Sequence, residues 1–257
     1  MWACLDNGKL IGLTYRRQEN VVAWHNHLLG GTSSNGSYGS VESIACIPGD
    51  QDEDDLYLVV ERTINSGTKR YVEYLSHYDF GTSVADAFFV DSGLTYSGSS
   101  ADQISGLDHL EGQSVSILAN GAAHANKTVS SGAIDLDVSV TKAQIGLGYS
   151  STLQTMRLDA GGAQGTSQGK IKRIHDMTLR FFRTVGAKVG TSESELDRIF
   201  FRSASDEMGQ ALDMFDGDKD IEFRSGYEQE AHIVVQQDQP LPMTIIGLFP
   251  RLITFDE

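Results

Sequence analysis

The chain holds 257 residues, with 20 Lys and Arg against 35 Asp and Glu, a formal net charge of −15 at pH 7. That length buries a core without staples, so a small disulfide-bonded module is excluded, and two cysteines supply neither a disulfide framework nor a four-thiolate zinc site. The acidic balance repels nucleic-acid phosphates and anionic lipid and speaks against sequence-specific DNA binding.

No apolar run approaches the roughly 18 to 20 residues that span a bilayer, and the opening residues lack the charged start and apolar stretch of a signal peptide. The expectation is a soluble, unprocessed chain without a membrane anchor, made in a cytoplasm. The 27 glycines and 4 prolines imply many tight turns. Short apolar runs broken by Gly, Asn and Asp, with no sustained 3.6-residue period, predict an all-β fold. Residues 2–5 and 10–15 flank Asp6, Asn7 and Gly8, where Asn-Gly predicts a two-residue hairpin turn. Strands are predicted at 21–27, 41–47 and 56–64, with a Gly/Ser-rich loop at 30–40. Asn65, Ser66 and Gly67 then turn the chain into a strand at 70–75. Cys4 and Cys46 fall in these apolar runs and are expected as buried free thiols.

From 79 to 148 the composition shifts to Gly, Ser, Ala and Asp. Short strands are predicted at 87–90, 114–118, 134–138 and 143–146, with a turn at 107–112. Beyond 149, alternation predicts half-buried strands at 174–183 and 231–237, a helical turn near 167–173, and a last strand at 243–249 framed by Pro242 and Pro250. The predicted domains are a β-meander at 1–78, a small inserted module at 79–148 and a β platform at 149–257.

Several groups of residues form a recognisable series. Trp2, Asp6, Gly8, Leu10, Gly12, Thr14, Tyr15, Ala23, Trp24 and His25 open it, followed by the run from Val59 through Asn65 with Lys69, Arg70 and Tyr71. Further on stand Ile145 to Tyr149 with Thr152, Leu153 and Gln154, then Gln168, Gly169, Lys170, Lys172, Arg173 and Ile174. Phe201, Arg202, Ser203, Phe215, Gly217, Asp218, Lys219 and the run from Gln237 to Pro242 close it. Over 2 to about 250 the chain resembles the tail tubular, or nozzle-like, structural proteins of tailed phages and prophages. These are often labelled as carrying a domain similar to the first catalytic cysteine half domain (FCCH) of ubiquitin-activating enzymes. The resemblance implies a virion tail component without catalysis or cofactor. It implies homo-oligomers, a ring of six-fold symmetry, that contact adaptor, needle or fibre proteins and pass DNA without binding it specifically. It also implies the last blades of a β-propeller at 1–78, a small inserted β-barrel at 79–148, and a β-sandwich-like platform at 149–257 that packs on neighbours. Full-length members extend upstream of Trp2, so the chain reads as a C-terminal portion. It departs from the family at Gly148, where proline is usual, and in a longer loop at 30–40.

Other chemistries are weighed on their residues. Ubiquitin activation needs a reactive thiolate, and 79–148 contains no cysteine. Gly165 to Gly169 around Ser167 spells G-x-S-x-G with His232 downstream, yet no apolar strand precedes it, so a serine-esterase reading is carried only as an alternative. Gly169-Lys170 fails as a phosphate loop for want of the first glycine and the following Ser or Thr. Asp216, Asp218 and Asp220 alternate like calcium-loop ligands but lack the glycine and the glutamate that complete such a loop, which predicts a solvated turn. Asp50, Asp52, Glu53, Asp54 and Asp55 form an acidic tip. His25 and His27 share a strand face but have no nameable third ligand, so a half-buried pair beside Trp24 is expected and no metal site is assigned. A second alternative, a carbohydrate-binding or glycan-processing tail module, follows from what propellers and jelly rolls often host.

The basic stripe is the assembly candidate. Lys170, Lys172, Arg173, Arg180, Arg183 and Arg202 stand out in an acidic chain as residues that could meet an acidic patch of a neighbouring subunit. On a regular strand Arg180 shares a face with Ile174, Thr178 and Phe182, while Arg183 falls opposite with Met177, Leu179 and Phe181. Both faces then read as mixed, as in a strand buried at an interface. A DNA-facing stripe is the rival and predicts strong salt dependence.

Overall fold

The computed structural model describes residues 1–49, 54–159, 166–207 and 210–255. The described residues form 17 strands in five antiparallel sheets, joined by turns and three single-turn 3-10 segments. The chain divides into two compact units, Met1–Tyr149 and Ser150–Glu257.

The first unit begins with β1 (Trp2–Cys4), β2 (Leu10–Arg16) and β3 (Val21–His27), paired in that order. The β1–β2 connection is a three-residue loop rather than the expected two-residue turn. The Gly8 amide donates to the Leu5 carbonyl at 2.8 Å and the Leu5 amide to the Lys9 carbonyl at 2.9 Å, with Gly8 alone left-handed at φ +80. A second meander follows, β4 (Ser40–Pro48), β5 (Asp54–Ile64) and β6 (Gly67–Tyr74). Its β5–β6 turn is a true two-residue turn, with Asn65 at φ 48 and Ser66 at φ 63. Alternation along β5 sends Leu56, Leu58, Val60 and Ile64 into the interior. Leu10, Leu29, Val41 and partly buried Trp2, Cys4 and Ile44 complete the core around the first three of these. Cys46, expected inside, is exposed although it is in register with buried Leu56, because the core beneath this end of β4 does not extend over it; Cys4 is half-buried, and both thiols are free.

The Gly/Ser-rich segment contains more strand than its composition predicts. β7 (Asp91–Ser105) and β10 (Ala133–Leu147) are long, and with β8 (Ser114–Ala119) and β9 (Ala122–Thr128) they order as β7-β10-β8-β9. The expected barrel does not close: among the described residues no ladder joins β7 to β9. Instead the register of β10 on β7 shifts between Asp135 and Val140 and again before Lys142, and these bulges curl an open sheet over its own apolar face. Leu107, Leu110, Val115, Ile117, Val140 and Ile145 are all fully buried there, together with Ile64 from β5.

The second unit comprises β11 (Ser151–Gln154), β12 (Ile171–Thr184), β13 (Ala187–Ser192), β14 (Glu195–Ile199), β15 (Phe215–Glu222), β16 (Val234–Gln237) and β17 (Ile245–Phe255). Sheets β11-β16-β13-β14 and β15-β12-β17 share one core of Ile174, Met177, Leu179, Phe181, Val189, Ile233 and Val235. No helical turn forms at 167–173; residues there turn directly into β12. Pro250 lies inside β17 without breaking it, because β17 is an edge strand and needs no donor on its free side.

Candidate functional site

Three clusters gather the polar chemistry of the described residues. The first sits where the two cores of the first unit meet. Arg62 occupies an inward position of β5, between Val60 and Ile64, and is completely buried. A guanidinium there must find acceptors or cost several kcal/mol. Its Nε donates to the Gly30 carbonyl at 3.0 Å, its Nη1 pairs with Glu73, and Nη2 is left without a partner. The Gly30 amide in turn donates to Asp91 Oδ2 at 2.6 Å. Desolvation pushes the Asp91 carboxyl up to about 6, against the Gly30 bond and the nearby Arg62 charge, and burial followed by the Asp91 charge raises the Tyr149 phenol. Close by, the Tyr71 hydroxyl donates to the His109 carbonyl at 2.9 Å, and His109 Nε2 donates to the Ser92 carbonyl at 2.9 Å. A Cβ at Gly30 would lie 2.8 Å from the Gly148 carbonyl oxygen, so only glycine lets this loop pass. The cluster ties the 28–40 loop, β5, β6 and the start of β7 together. On the opposite face of β5, Glu61 accepts from Ser34 Oγ at 2.5 Å and Arg70 at 3.2 Å, and these bonds, led by Ser34, hold its carboxyl below the ordinary range.

The second cluster lies on the inner face of the first sheet. His25 Nδ1 and His27 Nε2 are 2.7 Å apart, and the ring that packs on both is Trp2, at 5.5 and 5.0 Å between centroids. Trp24, the expected neighbour, points to the other face and is 63% exposed. Trp2, Gly12 and His25 are in register across the three strands, and a Cβ at Gly12 would sit 2.1 Å from His25 Cε1. Burial, and then His25, lower the His27 pKa. Among the described residues no three His, Cys, Asp or Glu side chains converge as a metal site would require.

The third cluster is the outer face of β15-β12-β17. Asp216, Asp218 and Asp220 lie on strand β15 rather than in a solvated turn. Asp218 accepts from Arg180 Nε and Nη2 at 2.7 and 2.8 Å, Asp220 from Thr178 Oγ1 at 2.5 Å, and Asp216 from the Arg183 amide at 2.6 Å. Arg180 also covers the Phe249 ring at 5.3 Å. A register shift between Ile174 and Asp176 flips the start of β12, so Ile174 joins Met177, Leu179 and Phe181 inside while Arg180 keeps Thr178 and Phe182 outside. The faces are therefore segregated and not mixed as a regular strand would make them.

The basic stripe does not gather into one patch. Lys172 is fully buried, its Nζ donating to the Gln229 carbonyl at 2.8 Å. Arg173 stacks over Tyr227 at 5.5 Å, Arg202 donates to the Gln210 carbonyl at 2.9 Å, and Lys170 closes a turn on the Ser167 carbonyl at 3.2 Å. Arg183 is half-buried at a left-handed φ of 46. Ser167 is 2% exposed and its hydroxyl donates to Asp159 Oδ1 at 2.8 Å, while His232 Nδ1 donates to the Thr155 carbonyl at 3.0 Å. Gly165 and the acidic tip at 50–53 lie outside the described residues; Asp55 meets His77 at 3.3 Å.

Arg62 is not singled out from the sequence, although alternation along β5 sets it on the apolar row with Leu58, Val60 and Ile64, the signal that marks a buried arginine. Asp91 and Gly30 carry no such mark, since their meeting joins positions remote in sequence. Compared with protein-family models and with curated protein sequences, the chain matches none.

Proposed function

We propose that this chain is a structural subunit of a phage or prophage tail, part of a ring-shaped nozzle or tube that conducts DNA and without catalytic work of its own. The motif resemblance along 2 to about 250 supports the reading. The observation that carries it is the amount of apolar side chain left on sheet faces. Tyr15, Val22 and Trp24 are each 63% exposed in the first unit, and Ile246, Phe249 and Phe182 are exposed in the second. In the first sheet Leu13 pairs with Trp24 and Tyr15 with Val22, so these residues make a continuous surface. Soluble monomers seldom carry such surfaces uncovered, whereas subunits of assemblies do. The bonds that engage Arg180 and Lys172 within their own unit favour contact through apolar surface over contact through a basic stripe. The test is mass spectrometry of purified virions of the phage that encodes the chain. Its peptides are expected at stoichiometric levels in the tail fraction, and their absence from washed virions ends the reading.

A further inference from the structure

β3 is an edge strand that lacks every usual protection. Residues 21–27 contain no Lys, Arg, Asp, Glu or Pro, and the seven-pair ladder to β2 has no bulge. Val21, Val22 and Trp24 are exposed. The other free edges are guarded. β6 carries Lys69, Arg70 and Glu73; β15 carries Asp216, Asp218, Lys219, Asp220 and Glu222; β14 carries Glu195, Asp197 and Arg198. β17 holds Pro250 and Arg251, β4 holds Glu42 and Pro48, β9 holds Lys127, and β7 holds Asp91 and Asp102. The opposite edge of the same sheet, β1, is three residues long and lies beside β4, and β11 is four residues long. Among the described strands β3 is thus the single edge longer than four residues with neither charge nor proline.

We propose that β3 pairs antiparallel with β3 of a second copy of this chain. Antiparallel self-pairing about a two-fold axis at Trp24 sets Trp24 against Trp24, Val22 against Asn26, Ala23 against His25 and Val21 against His27. The strand is therefore its own complement, and the two three-stranded sheets become one sheet of six. In that register Val22, Trp24 and Asn26 continue the row formed by Tyr15, Leu13 and Ile11 on β2, their register partners, so the apolar faces of the two copies merge around a central tryptophan pair. Charge selects the occupant. Two chains of −15 repel, and they approach best along a strip that carries none of that charge. On β2 only Arg16 is charged, at the far end of the ladder, where it meets Glu19 at 3.5 Å. A foreign partner selected by charge would find nothing to read on this strip; what it offers is backbone bonding and apolar area, which a second copy matches residue for residue. An isologous contact of this kind closes on itself as a pair. It does not generate a ring, so the inference stands apart from the tail reading.

The test uses the full chain. Light scattering is expected to give twice the 28.0 kDa chain mass at high concentration. Val22→Lys with Trp24→Lys, both at exposed positions, should weaken association at least about tenfold by setting like charges opposite each other at position 24 and a charge into the apolar seam at position 22, with an unchanged circular dichroism spectrum. The register is read separately in a Cys4→Ser, Cys46→Ser background. Trp24→Cys should form an intermolecular disulfide on mild oxidation, because residues facing across a two-fold axis bring their Cβ atoms within bonding range, whereas Asn26→Cys, which faces Val22, should not. A chain that is monomeric at every concentration, a dimer that survives the double lysine variant, or equal cross-linking at positions 24 and 26 would each overturn the proposal.

Discussion

Asp91 is the side chain whose surroundings most alter its chemistry. Its folded pKa, raised from 3.8 to about 6, means that the native state takes up a proton which the unfolded chain does not take up until lower pH. The sign follows: relative to a variant that cannot titrate there, the protein gains stability as pH falls through 6 toward 4, and that gain is absent above 6. The charged and titratable groups around it are Arg62, Glu73 and Tyr149. Asp91→Asn keeps an acceptor for the Gly30 amide. Urea unfolding of both proteins at pH 7.5 and 4.5 should show the wild type gaining on the variant by about 2 kcal/mol toward acid pH. A flat difference would mean that Asp91 is solvated like an ordinary surface carboxylate. Gly12 is a second point of sensitivity. The Cβ of Gly12→Ala would meet a side chain, His25, which can move at the cost of its packing on Trp2. We expect a loss of about 1 to 3 kcal/mol and a shift in tryptophan emission as Trp2 loses that contact.

For the strands, the decisive features are register and bulges. At Gly190 a Cβ would lie 1.7 Å from the Glu195 carbonyl oxygen, which is backbone of the partner strand and cannot rotate away. Gly190→Ala should therefore cost more than Gly12→Ala, more than about 3 kcal/mol, and should remove hydrogen-exchange protection first from β13 and β14. Both losses are measurable by denaturant titration. Alternation made β2, β3, β5 and β16 legible from their residues, because an inward row such as Leu56, Leu58, Val60 repeats every second position whatever lies opposite. It failed on β7, where Gly93, Ser97, Gly98, Ser99 and Ser100 have the composition of a loop. That strand exists because β10 supplies its ladder along most of its length. It failed again at the start of β12, since a single bulge at His175 reverses which residues face the core, and no local pattern announces a bulge that the partner strand imposes.

Over the entire chain, two cores in the first unit and one in the second do the folding, and Arg62 stands between the first two. Arg62→Met leaves Glu73 and Asp91 without their cation and should cost about 3 to 5 kcal/mol, as breaking a buried pair does. Hydrogen exchange should show that loss in β5, β6 and the start of β7, with amides of β12 and β16 unchanged, because each unit carries its own core. The overall charge makes a separate prediction. With Lys172 buried and Arg180 held by Asp218, the basic stripe offers no continuous groove to phosphate, so retention on DNA at about 50 mM salt should be negligible. Salt-sensitive retention on a DNA column would count against this. The β class, most strand positions, the turn sites and the acidic surface follow from local periodicity and composition, which belong to each segment whatever it packs against. The partners of Arg62 and Lys172, the exposure of Cys46, the solvent side of the β15 carboxylates, and the failure of the small sheet to close do not. They depend on residues such as Gly30, Glu73 and Asp91 meeting in space, and the energy of that meeting is set by burial and by ladders between strands remote in the chain.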